Sequence, residues 1–371
     1  MENERETKIV KTCITGIVTN ILLSVFKAVI GFMANSVAVM MDALNNLTDA
    51  VSGIITLVGT YLAGRDPDKK HPFGHGRTEY LATLAISGLI LYAGISACIS
   101  SVKSIINPKE PEYETLMLVI IFVAIIVKIV LSLFYKKQGQ VTESDSLTAS
   151  GKDAGFDAII SAATLVCAFI YIFFEISIEA YLGVIIAIFI MKSGIEILAE
   201  TVSKILGEGA SVELVKEIKN TIAAHDKVRG AYDLVINNYG HDRLYGSLHI
   251  EVPENFTANE LDCLTREIND EIYEKFGVTI VAVGVYAYNE SDATVTQMRT
   301  KATEIALSHE FVKQVHGFYV DKKNKKIRFD MVISLDAKNR ADLYFHVISD
   351  LKKEFPDYDI SGSMDSDFNE I

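Results

Sequence analysis

The sequence predicts a bundle of six membrane helices followed by a soluble α+β tail that is built twice over. Three observations carry this expectation. Nearly all long uncharged runs fall within residues 11–206, whereas 207–371 reads as an ordinary water-soluble sequence. With 371 residues, half of them hydrophobic, the chain is too long for one small domain and too apolar for a purely soluble one. Within the tail, one order of helices and strands recurs. The expected domains are therefore 1–206, 207–290 and 291–371.

Windows of about 20 apolar residues mark segments able to cross a hydrocarbon core about 30 Å thick. They fall near 11–33, 37–63, 80–106, 114–135, 147–173 and 178–203. The loops after the second and fourth spans hold Arg65, Lys69, Lys70, Arg77, Lys136 and Lys137. The opposite loops hold Lys109 among Glu110, Glu112 and Glu114, then Glu175 and Glu179. The excess of cations on one side predicts that the basic loops and both termini are cytoplasmic, in a multi-pass protein of the plasma membrane. The start, MENERETK, lacks the apolar stretch and cleavage site of a signal peptide.

The second and fifth spans are the least apolar, and each carries a polar pair four residues apart: Asn45 with Asp49, and Asp153 with Asp157. A carboxylate at mid-bilayer costs about 2.5–3.5 kcal/mol, so three of them need a reason. Helical spacing puts both members of each pair on one face. Counted inward from the span ends, both pairs fall near mid-depth. Ala43, Ala50, Ser52 and Gly53 flank one pair, and Gly151, Ala154, Gly155 and Ala158 flank the other. Such small residues let helix backbones approach closely in lipid. Two facing pairs would form a four-residue oxygen cage suited to a hard divalent cation. Lys27 and Asp42 sit nearer the outer surface, where a buried ion pair or an outer relay at Asp42 would account for them.

In the tail, helix 212–224, strands 228–238 and 243–252, helix 257–275 and strand 278–287 form one unit. Helix 292–308, strands 312–321 and 325–335, helix 339–354 and strand 357–362 form the second. His225-Asp226 and His309-Glu310 mark equivalent places 84 residues apart. The αββαβ order predicts two ferredoxin-like sandwiches in tandem.

A net charge of −13 argues against nucleic acid as a partner. Cys13, Cys98, Cys167 and Cys263 stand singly, without a metal or redox spacing, and read as small packing residues. The acids Asp357, Asp359, Asp365, Asp367 and Glu370 read as a solvated charged end. His309, His316 and His346 are dispersed and read as surface or packing residues.

Taken together, these residues resemble the cation diffusion facilitator family. The resemblance rests on Lys27 and Gly31, the run S-x-A-x-x-x-D-A-x-x-x-x-x-D from Ser36 to Asp49, the loop H-P-F-G-H-G-R-x-E from His71 to Glu79, and D-x-x-x-D from Asp153 to Asp157. It covers about residues 10–290. It implies a homodimer in the lipid bilayer that exports divalent metal from the cytoplasm in exchange for protons, with no resident cofactor and no enzymatic reaction. Zinc exporters of that family usually carry histidine at one or both of the places held here by Asn45 and Asp153. The N-x-x-x-D and D-x-x-x-D pairs resemble its manganese-exporting branch. An all-oxygen set also suits Mn²⁺ better than zinc, which favours nitrogen and sulfur. Iron, zinc and cadmium remain alternative substrates.

Secondary metal candidates are Asp68, His71 and His75 in the loop after the second span, and His249 in the tail. For the loop, the alternative is a polar cytoplasmic turn. In family members whose tail binds zinc, histidines surround the dimer contact. His249 matches one of them, but Tyr232 stands where another is often found. Beyond transport, a carboxylate-ringed channel and an intramembrane aspartyl enzyme also stay open.

Overall fold

The computed structural model describes residues 2–33, 37–107, 115–174, 176, 178–240, 243–289 and 292–365. Ser36, the acids 110, 112, 114 and 175, and Asp367 and Glu370 lie outside the described residues, as does the side chain of Asp42. The chain divides into two compact units, residues 1–208 with 239–242, and residues 209–238 with 243–371.

The first unit holds α1 (Glu2–Met33), α2 (Val37–Ala63), α3 (Thr78–Ile106), α4 (Thr115–Val141), α5 (Asp145–Phe174) and α6 (Glu179–Leu206). Its shortest helices have 27 residues, about 40 Å at 1.5 Å per residue, more than a bilayer core requires. Five helices are long and apolar enough to cross a membrane. The sixth, α2, is diluted by Asp42, Asn45, Asn46 and Asp49. The segment expected as a loop from 136 is helical as far as Val141.

Polarity is inverted relative to a soluble bundle. Leu22, Phe26, Val130, Leu133, Phe173 and Phe189 face outward, whereas Asn20, Lys27, Thr56, Lys128, Ser132 and Ser150 are buried. Buried hydroxyls find partners across helices, as in Thr83 with Ser146 at 2.9 Å and Ser132 donating to the Gly151 carbonyl at 2.7 Å. Glu79, the end of the loop motif, is buried and accepts from Arg5 Nη2 at 2.9 Å and Ser144 Oγ at 2.5 Å. This ties α1, α3 and the turn before α5 together, and the Arg5 pair satisfies a carboxylate whose burial alone would be costly.

The main helix pairs are α1 with α2, α4 with α5 and α3 with α6. Close approach of α4 and α5 depends on Gly151, where a Cβ would lie 3.0 Å from the Lys136 backbone nitrogen. Gly16 of α1 makes room for Tyr135 in the same way: a Cβ there would sit 1.7 Å from the phenol oxygen.

The second unit repeats one plan. α7 (Val212–Ala223), β1 (Gly230–Asn238), β2 (Leu244–Pro253), α8 (Ala258–Phe276) and β3 (Val278–Tyr288) make the first sandwich. α9 (Ala293–Leu307), β4 (Val312–Asp321), β5 (Lys326–Ile333), α10 (Arg340–Glu354) and β6 (Asp359–Asp365) make the second. Each sheet pairs its first two strands antiparallel and its last two parallel, the crossover running through a helix. Ile218, Leu234, Ile250, Ile268 and Ile272 form the first core, and Phe318, Phe329, Met331, Val347 and Leu351 the second. A capping box, Thr257 with Glu260, starts α8, and Gly277 at φ 66° ends it.

Both hairpins bulge at the same place. The β1–β2 register shifts between Tyr232 and Val235, and the β4–β5 register between His316 and Tyr319. Asp233 at φ 52° and Gly317 at φ 60° occupy equivalent left-handed positions. Tyr232 and His316, 84 residues apart like the two markers above, stack on one another with ring centroids 4.7 Å apart. Equivalent residues of the two repeats therefore meet.

Ile268 is fully buried in the first core, so Ile268→Ala should destabilise that sandwich by about 2–5 kcal/mol. Thr257→Ala, which removes only the cap, should cost about 0.5–2 kcal/mol. Hydrogen exchange of residues 258–276 in the intact protein checks both the size and the order.

Candidate metal site

α2 contributes Asp49 to the interior of the bundle, and α5 contributes Asp153 and Asp157. A cavity of ≈ 10 Å³ is lined by Asn20, Asp49, Ser52, Lys128, Tyr135 and Asp153 among others, but not by Asp157. That is room for about one water-sized particle. The small residues expected to let α2 and α5 meet do line it, through Gly53 and Ala154.

The acids converge on a lysine. Lys128 of α4, 3% exposed, donates from Nζ to Asp157 Oδ2 at 2.7 Å and to Asp49 Oδ2. One ammonium thus spans carboxylates from two different helices, where a metal ion would do the same. With all four groups ionised, three carboxylates and one ammonium leave two negative charges, the charge a divalent cation would neutralise. Lys128 was not singled out in the sequence. Its signal was present: a lone lysine inside the uncharged run from Leu118 to Ser132.

Asn45 lies one turn before Asp49, with an exposed side chain, and is not among the cavity-lining residues. A different amide does line the cavity. Asn20 of α1 is 3% exposed, and its Oδ1 has no hydrogen-bond partner. An unpaired buried acceptor is costly unless something occupies it. Lys27 is buried on α1, and its expected partner, the Asp42 side chain, is outside the described residues.

The loop candidates come together. His71 Nδ1 lies 3.3 Å from Asp68 Oδ1, and His75 Nε2 lies 3.5 Å from Asp68 Oδ2. Asp68 also accepts from the backbone N–H groups of Lys70 and His71, which with the nearby imidazoles holds its carboxyl below the usual range. Asp68 and His71 are exposed, so this group faces solvent. In the tail, His249 Nδ1 is 3.0 Å from Asp233 Oδ2, and its ring stacks on Tyr286.

Residues 13–206 match the family described as the cation efflux transmembrane domain, and residues 210–285 match the cytoplasmic domain of cation efflux proteins. Among curated relatives, the chain is 28% identical to an uncharacterized transporter of Methanocaldococcus jannaschii over 68% of this chain and 88% of the relative. It is 27% identical to the manganese efflux system protein MneP of Bacillus subtilis, over 78% of this chain and all of the relative. It is 24% identical to the cadmium, cobalt and zinc/H(+)-K(+) antiporter of Bacillus subtilis, over 74% and 88% of the two chains.

If Lys128 and a metal compete for the same carboxylates, Lys128→Met should tighten Mn²⁺ binding to the solubilised protein by about tenfold, the equivalent of about 1.4 kcal/mol. Equilibrium dialysis measures this, and unchanged affinity would show that the ammonium and the ion do not compete.

Proposed function

The chain belongs to the cation efflux family, and from that premise we propose that it exports Mn²⁺ from the cytoplasm in exchange for protons. The family consists of membrane transporters of divalent metal ions rather than enzymes, so the aspartyl-enzyme alternative is set aside. The observation that carries the reading is that Asp49 and Asp153 line one intramembrane cavity, with Asp157 joined to it through Lys128, so that the acids offer only oxygen ligands. Such a donor set favours Mn²⁺, whereas zinc prefers nitrogen or sulfur. The resemblance to a Bacillus subtilis manganese efflux protein supports the same metal. The relative named for cadmium, cobalt and zinc keeps those ions as the second reading.

In this mechanism Asp49, Asp153 and Asp157 bind the ion, and a neutral amide completes the set. Asn45 shares the helix face of Asp49, while Asn20 has its buried oxygen at the cavity. Ligation needs ionised carboxylates, so metal arrival expels protons and proton return expels metal. Lys128 holds two of the carboxylates together while no metal is bound, then yields to the dication. The site alternates between inward-facing, metal-loaded and outward-facing, proton-loaded states. The protein acts as a homodimer in the plasma membrane, with both termini cytoplasmic and residues 207–290 as the dimerisation domain.

Asp157→Ala should abolish Mn²⁺ uptake into inverted vesicles while leaving the protein folded; near-normal uptake overturns the site. Of the two amides, the ligand is the one whose replacement by Ala lowers Mn²⁺ transport several-fold while the other leaves it unchanged. Asn45→His combined with Asp153→His should raise the ratio of zinc to manganese uptake in the same vesicles. If the active variant keeps the wild-type ratio, these positions do not set selectivity. Mn²⁺ flux that ignores an imposed pH gradient and moves no protons would favour a channel over an antiporter.

A further inference from the structure

The two tail repeats meet at a second cluster of metal-ligating side chains. Asp233 of β1, His316 of β4 and Asp365 of β6 each bring a nitrogen or oxygen to within 4.8 Å of the others. His316 Nε2 is 3.0 Å from Asp233 Oδ1 and 3.5 Å from Asp365 Oδ2. The two separations from the imidazole bracket the edge of a metal's coordination shell. Bonds of about 2.0–2.1 Å place neighbouring tetrahedral ligands about 3.3–3.4 Å apart.

A buried histidine bridging two aspartates has a simpler explanation, a protonated imidazole held by ion pairs. Two observations weigh against it. The side chain of His316 is 1% exposed, yet among the described residues neither ring nitrogen makes a well-aligned hydrogen bond, the Asp233 oxygen 3.0 Å from Nε2 included. The surroundings are also rich in carboxylates. Tyr286 Oη lies 2.8 Å from Asp233 Oδ2 and 2.7 Å from Asp330 Oδ2, with one proton to share between them.

The framework is also specific. Asp233 reaches the cluster because the β1 bulge turns it to φ 52°, a conformation that a non-glycine residue keeps only where its surroundings hold it. His249 flanks it at 3.0 Å, and Tyr232 stacks against His316. Asp365, expected in a solvated acidic end, instead closes β6, paired with Val332. His316, expected as a packing residue, is the nitrogen donor at the centre.

We propose that Asp233, His316 and Asp365, flanked by His249, bind one divalent transition-metal cation that joins the first tail repeat to the second. Imidazole with carboxylates suits Zn²⁺, Co²⁺ and similar borderline ions and disfavours Mg²⁺ and Ca²⁺. Its preference therefore differs from that of the all-oxygen acids in the membrane. His316 and Asp365 both lie beyond residue 285, where the match to the family's cytoplasmic domain ends. Two of the three ligands therefore come from the added repeat, and Asp233 comes from the first.

The test uses the full chain in detergent, with Asp49→Ala, Asp157→Ala and Asp68→Ala removing the membrane and loop candidates. Titration with Co²⁺ should show one bound equivalent per chain and a visible absorption band that Zn²⁺ displaces. His316→Gln and Asp365→Asn, each added separately, should weaken that binding at least tenfold. If His316→Gln fails to fold, Asp365→Asn on the terminal strand decides alone. Zn²⁺ should also slow amide exchange in residues 230–238 and 312–321. Absence of the bound equivalent, or Co²⁺ binding that survives Asp365→Asn unchanged, overturns the site. Exchange rates indifferent to Zn²⁺ overturn the joining of the repeats.

Discussion

The membrane unit is organised around keeping three carboxylates out of contact with lipid. A lone acid at mid-bilayer costs about 2.5–3.5 kcal/mol, and three near one another add mutual repulsion. The bundle meets this with one ammonium, Lys128, which contacts Asp49 and Asp157 from a third helix. Because one lysine cannot neutralise three aspartates, the site keeps a deficit that a divalent ion or protons can fill.

That constraint explains the inverted packing around it. Gly151 on α5 and Gly16 on α1 let their helices close on α4, which carries Lys128 and Tyr135. Hydroxyls such as Thr56, Ser132 and Ser150 fill the remaining interior, where they serve neighbouring backbone or one another. The apolar residues lost from the interior appear on the outside, where lipid is their solvent. Nearer the basic loop, the Arg5–Glu79 pair anchors α1 to α3 without drawing on the site's own charges.

Much of this was legible in the sequence because it is periodic. Six apolar windows, acids four residues apart and an αββαβ order repeated at 84 residues are all local patterns, and local patterns survive without coordinates. What escaped depends on helix rotation and on contacts between distant segments. Lys128 meets acids 79 and 29 residues away, and its lone charge in an apolar run was the only advance notice. Asn20 and Asn45 are equally polar residues in membrane spans; only packing shows that the first borders the cavity while the second is exposed. His316 and Asp365 sit on strands with no shared motif, so their meeting follows from the pairing of two whole sandwiches.

The pairing of the sandwiches also constrains how the tail can assemble. Repeat two meets repeat one around Tyr232, Asp233 and Tyr286, with Tyr232 stacked on its own equivalent, His316. Contact between equivalent residues is what a two-fold symmetric pair of domains produces, here achieved within one chain. In the proposed homodimer through residues 207–290, the partner would meet surface that this repeat contact leaves free. Val281 and Val285 on β3 are 63% and 41% exposed, and β3 is an edge strand of its sheet. An open edge with outward-facing valines is a surface that proteins normally cover.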